Sequence, residues 1–114
     1  MQQPYHGEWE SYFEVIIKST DHADCLFISK RIREYLSAWS FCVTTSYEHK
    51  DNIKGTVLKR SVQCKIIAYP ETIIAFKEGL RHIAFHFNLS SFSDKVVTIH
   101  EGATIPKDSR KAFL

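Results

Sequence analysis

Glycine is scarce in this chain of 114 residues: there are four, Gly7, Gly55, Gly79 and Gly102, with no two close together. That excludes the glycine-rich loops that cradle phosphates, whether of Walker or dinucleotide type. Proline and cysteine number three each. Cys25, Cys42 and Cys64 form no C-x-x-C pair and are odd in number, so they read as reduced thiols in a cytoplasmic setting. Cys25 and Cys64 fall on expected core faces; Cys42 reads as exposed and is the choice for a reactive thiol. No apolar run reaches the ~20 residues of a membrane span. Residues 1–10 are polar and acidic, without the basic start and apolar stretch of a secretory signal. Neither sign of charge dominates: 15 basic against 13 acidic side chains leave +2, far from the footprint of a strong nucleic-acid binder.

Catalytic signatures are missing too. Ser90, Ser91 and Ser93 cluster, but no G-x-S-x-G surrounds them, and they read as groups that satisfy loop backbone. No paired carboxylates fall in an expected cleft. No cofactor is implied.

The chain does have an ordinary globular composition, 44% hydrophobic and 25% charged, which fits one domain with a modest core. Its most informative stretch runs from Gly55 to Phe87. Val62, Cys64, Ile66 and Ala68 alternate with Ser61, Gln63, Lys65 and Ile67, the period of a half-buried strand. Pro70 has no N–H to continue a ladder and suits the first turn of a helix. From there the period changes: Ile73, Phe76, Leu80, Ile83 and Phe87 form a helical stripe, with Asn88 as its C-terminal cap. Gly79 interrupts that helix at a cost of about 1 kcal/mol; the cost is either tolerated or allows another backbone to come close.

The same reading places strands at 12–18, 41–48 and 95–100, and a first helix from His22 to Trp39. That helix is capped by Asp21 and striped by Cys25, Ile28, Ile32, Leu36 and Trp39. Residues 49–55 form a polar hairpin loop. The order strand, helix, strand, strand, helix, strand predicts an α+β, ferredoxin-like split β-α-β domain: a four-stranded antiparallel sheet with two helices on one face. The expected organisation is an N-terminal arm (1–11) in which Trp9 docks or contacts a partner, a single domain (12–100) and a C-terminal tail (101–114).

One sheet face is then left without a helix. It is expected to carry Ile16, Lys18, Thr44, Ser46, Lys59, Ser61, Gln63, Lys65, Ile67, Thr98 and His100. The function expected is a small non-enzymatic binding protein, a regulator, adaptor or inhibitor. It docks on a partner protein through this face, or on a second copy of itself as a homodimer, with Ile16, Lys18, Lys59, Gln63, Lys65 and Ile67 as the contact residues. A second reading is a nucleic-acid-binding domain. The aromatic pattern that stacks bases is missing from the outward positions, which leaves Lys18, Lys59 and Lys65 for backbone contact. A third is a small enzyme with its site at a dimer interface, where His100 is the titratable group to examine. Phe27, Phe85 and Ile74 add apolar area on the helical side. For metal, the one candidate set is Glu78, His82 and His86, spaced four apart on one outward helix face; the Glu of H-E-x-x-H is missing between the histidines.

Overall fold

The computed structural model describes residues 6–49, 51–90 and 94–107. Seven elements follow one another: β1 (Trp9–Ser19), α1 (His22–Ala38), β2 (Val43–Glu48), β3 (Asn52–Lys54), β4 (Val57–Ala68), α2 (Pro70–Leu89) and β5 (Val96–Pro106). The fold is α+β, and its antiparallel sheet has five strands rather than four. The order across it is β2-β4-β1-β5, and β3 pairs with the start of β4 beside β2. The additional strand was invisible to periodicity because it is three exposed residues within a polar loop. Gly55, at φ +68°, turns that loop back into β4. Only glycine adopts this left-handed backbone freely.

Strand alternation does what its period demands. Phe13, Val15 and Ile17 of β1, with Val62, Cys64, Ile66 and Ala68 of β4, turn to one face and are buried there. Both helices close over that same face. α1 contributes Cys25, Ile28, Ile32 and Leu36, and α2 contributes Ile73, Phe76, Leu80, Ala84 and Phe87. Phe76 is the fully buried centre, with the rings of Phe13, Tyr35 and Trp39 at 5.4, 5.7 and 5.6 Å. Trp9 packs against this core.

Helix ends follow from local chemistry. Asp21 caps α1 by accepting from the Ala23 N–H at 2.8 Å. Pro70 occupies the first turn of α2, after an extended Tyr69. Asn88 is not the C-terminal cap; Ser90 is. The Asn88 amide instead donates to the Val97 carbonyl (2.9 Å) and accepts from the Val97 N–H (2.8 Å), so it fastens the end of α2 to β5. Ser91 and Ser93 lie outside the described residues.

The first and last strands of the chain both extend further than their periodicity implied. β1 begins at Trp9 and β5 continues to Pro106, with Glu10 opposite Ile105 and Ser11 opposite Thr104. A bulge between Ser11 and Phe13 breaks the register of this ladder. Alternation is lost at a bulge, and so is its trace in the sequence. The residues beyond 107 lie outside the description.

Gly79 does mark a close approach, made by a side chain. Tyr35 of α1 donates to the Phe76 carbonyl at 2.9 Å, and a Cβ at position 79 would sit 1.9 Å from that hydroxyl oxygen. Gly79→Ala should therefore destabilise the protein by about 1–3 kcal/mol in urea unfolding, despite its better helix propensity. In a Tyr35→Ala background the same change should reverse sign and gain up to about 1 kcal/mol. Additive effects of the two substitutions would show that the two side chains do not compete for this space.

Candidate functional site

The helix-free face of the sheet forms a grid of side chains whose rows follow from strand register. Directly opposed residues of an antiparallel pair share a face. Tyr47, Gln63, Glu14 and His100 therefore line up across β2, β4, β1 and β5. Thr45, Lys65 and Tyr12 form the next row, and Ile67, Glu10 and Ile105 the one beyond. In the other direction come Ser61, Ile16 and Thr98, then Lys59, Lys18 and Val96.

Tyr47 and Thr45 were expected on the opposite face, and Thr44 and Ser46 on this one. The correction has one cause. Val43 faces Ile66 but Thr45 faces Lys65, so β2 holds one residue more than its partner across this step. A bulge of that kind inverts every later side chain. Ser46 and Glu48 are thereby turned towards the helices, where Glu48 reaches Arg33 and Arg60. Tyr47, half exposed, is delivered to the open face.

A hydrogen-bonded chain runs across three strands of this face. Tyr47 Oη donates to Gln63 Oε1, and Gln63 Nε2 donates to Glu14 Oε2. Ser61 Oγ donates to the same carboxylate oxygen at 3.2 Å. The Glu14 charge is thus already answered by two donors. His49 stands edge-on to the Tyr47 ring, with centroids 5.2 Å apart at 86°. Beside the chain lies a hollow of about 490 Å³ flanked by Tyr12, Tyr47, Lys65 and His100. Gly102 forms part of its floor; a Cβ there would meet the Tyr12 Cβ at 3.0 Å.

Of the residues expected to make contacts, Lys18 and Lys59 are exposed and directly opposite each other. Lys65, Gln63 and Ile67 are half-buried. Ile16 is 8% exposed, because the central strand has neighbours on both sides, and it has little surface left to offer. The charges differ between the two sides of the sheet. On the helix side Arg31, Arg33, Arg60, Lys77 and Arg81 each face a carboxylate. Among the described residues Lys18, Lys59 and Lys65 face none.

Other candidates are placed elsewhere. Glu78, His82 and His86 are exposed on α2, and no group of three metal-capable side chains converges among the described residues. His82 and His86 instead line a groove of about 630 Å³ between the helices, with Phe27, Arg31, Tyr35 and Phe87. Cys42 is not exposed: it is 5% accessible, and its thiol lies against the Trp39 carbonyl. All three cysteines are free and buried. Burial pushes the thiols of Cys25 and Cys42 up from their ordinary range, and that of Cys64 up to about 12.

No family model matches this chain, and no curated protein does. Solved structures do resemble it. A de novo designed protein, Foldit4, is similar over 82% of this chain and 97% of its own length, at 19% identity and a TM-score of 0.57. A hydantoinase/carbamoylase family amidase from Burkholderia ambifaria matches 89% of this chain at 8% identity and a TM-score of 0.58. A putative amidohydrolase/peptidase from Burkholderia cenocepacia matches 89% at 10% identity and a TM-score of 0.55. This chain spans 29% of the length of each of those two proteins. At such identities the likeness is one of fold alone.

The thiol environments lead to two expectations. All three cysteines should react with Ellman's reagent at pH 8 far more slowly in the native protein than in urea; fast native labelling at Cys42 would contradict its burial. Cys64 also makes stability pH-dependent. Its proton is held more tightly in the folded state than in the unfolded chain, where a thiol titrates near ~8.5. Its contribution is complete below that value and is lost as pH rises towards 12. The stability gap between the native sequence and Cys64→Ala should therefore narrow from pH 8 upwards in urea titrations; a constant gap would refute the assignment.

Proposed function

We propose that this chain is a small non-enzymatic binding protein, a regulator, adaptor or inhibitor, whose working surface is the open sheet face. The observation that carries this reading is the contrast in charge between the two sides of the sheet. The helix-side guanidinium groups named above meet carboxylates, whereas among the described residues Lys18, Lys59 and Lys65 face none, and they share the face opposite the helices. Such a face suits a partner that brings negative charge. The hollow is lined by two acids and a histidine, but Glu14 is committed to Ser61 and Gln63, and Glu101 to Lys77 and Arg81, which supports binding over catalysis.

We infer further that the architecture is ferredoxin-like. The order β5-β1-β4-β2 with both helices on one face supports that reading, with β3 as an added strand along the edge. The fold hosts many functions, so the open face, and not the topology, supports the reading. Three free buried thiols support a cytoplasmic location. No helix among the described residues is long and apolar enough to cross a membrane. Self-association is the second reading. It draws on Val96 and Ile105, exposed at the two ends of β5.

Retention on a heparin column tests the reading. The double variant Lys18→Glu, Lys59→Glu should elute at clearly lower salt than the native protein. Lys30→Glu, Arg31→Glu, with the same charge change on α1, should elute close to it. Equal losses in both variants would remove the open face as the site.

A further inference from the structure

We propose that the partner of the open face is single-stranded nucleic acid, with bases stacked on Tyr47 and Tyr12 and phosphates held by Lys65, Lys59 and Lys18. This rests on the open face being the binding surface and adds the chemical class of what binds there. The inference comes from the bulge in β2. With regular alternation the face would carry hydroxyls at that edge; with the bulge it carries an aromatic ring.

The two tyrosines sit on opposite sides of β4, one row apart: Tyr47 is opposite Gln63, and Tyr12 is opposite Lys65. Strand spacing and rise place their Cα atoms about 12 Å apart on a diagonal. Each hydroxyl is anchored. Tyr47 donates to Gln63 on the neighbouring strand, and Tyr12 donates to Glu10 at 3.3 Å. The Tyr47 ring, its far end tied to the next strand, lies across the sheet and turns a flat surface outward, whereas the Tyr12 hydroxyl is held along its own strand. Tyr47 is 50% and Tyr12 38% exposed, so both retain area for stacking. His49 buttresses Tyr47 from the side, and Gly102 makes room for Tyr12.

The lysines supply the second requirement. Lys65 lies between the rings, and Lys59 is six residues away along the same face of β4, about 20 Å. Lys18 stands opposite Lys59. A line of cations beside sequence-tolerant stacking rings is the combination by which proteins hold single strands. The bound Glu14 carboxylate, with donors from Ser61 and Gln63, keeps its negative charge directed into the sheet's own hydrogen bonds. A purely acidic protein surface would use the lysines and leave the rings idle. A rigid duplex keeps its bases stacked within itself and could not reach them.

The test is fluorescence anisotropy of the full chain with labelled oligothymidylate of about 12 nucleotides, a size suited to one domain. A duplex of the same length and heparin serve as competitors. Single strands should bind more tightly than duplex, with a slope of log affinity against log salt near −2 if three phosphates are neutralised. Tyr47→Ala and Tyr12→Ala should each weaken binding by roughly 5- to 100-fold. Tyr47→Phe, which keeps the ring, should retain most of the affinity, and Lys30→Ala on α1 should change nothing. Both tyrosines are surface residues, and unchanged melting temperatures would confirm that the variants fold. If duplex and heparin compete as well as single strands, and tyrosine removal has no effect, the stacking proposal falls while the cationic face stands. If oligothymidylate does not bind although heparin is retained through Lys18 and Lys59, the proposal also falls and the broader reading survives. Amide NMR shifts confined to α1 and α2 on adding the oligonucleotide would overturn both.

Discussion

The structure depends on β1 being paired along both of its edges. Each residue from Trp9 to Ser19 has a partner on β4, and β5 follows the other side from Val96 to Pro106. A strand in that position has no free edge, so its only choice is which residue faces which side. Phe13, Val15 and Ile17 take the helix side and anchor the core; Tyr12, Glu14, Ile16 and Lys18 take the other. Slipping the register by one residue would bury two carboxylates and a lysine and expose the core, at a cost well beyond typical domain stability. The open face and the face that folds are thus set by the same pairing. The helices only cover what the register has already decided.

This explains which parts of the molecule were legible in the sequence. β4 and α2 were clear because each keeps its period without a break, and Pro70 separates them. Tyr47 was hidden because one inserted residue, Thr44, changes face assignment without changing composition: Val43-Thr44-Thr45-Ser46-Tyr47 reads as regular alternation until its partner strand is known. No local signal marks that bulge, since neither glycine nor proline is involved. The extension of β5 was hidden for a related reason, as Gly102 and Ala103 near its bulge carry no pattern. Cys42 was misjudged because its burial is tertiary: it lies in the turn between α1 and β2, under Trp39, where strand period no longer applies.

Charge pairing follows the same division. Arg60 lies on the helix side of β4 and is held between Glu48 and Asp51, both largely sheltered from solvent. His22 at the start of α1 meets the same Asp51 at 2.7 Å. The cluster ties the first turn of α1 to the β2–β3 loop, and these sheltered charges are compensated because an unpaired buried charge is expensive. Exposed cations carry no such demand. Solvent stabilises Lys18 and Lys59 well enough that nothing in the fold requires a carboxylate beside them.

Their placement still has a cost. Like charges directly opposite on neighbouring strands destabilise an antiparallel pair by a few tenths of a kcal/mol or more, and Lys18 and Lys59 are such a pair. Folding alone would favour Glu or Thr at either position, and both residues would keep the pattern of the strand intact. The open face therefore departs from what stability would select at these two positions, and both departures add positive charge. Tyr47 carries no such cost: an aromatic side chain suits a strand, its hydroxyl bonds Gln63 and its ring meets His49. What the bulge in β2 decides is which face receives that ring.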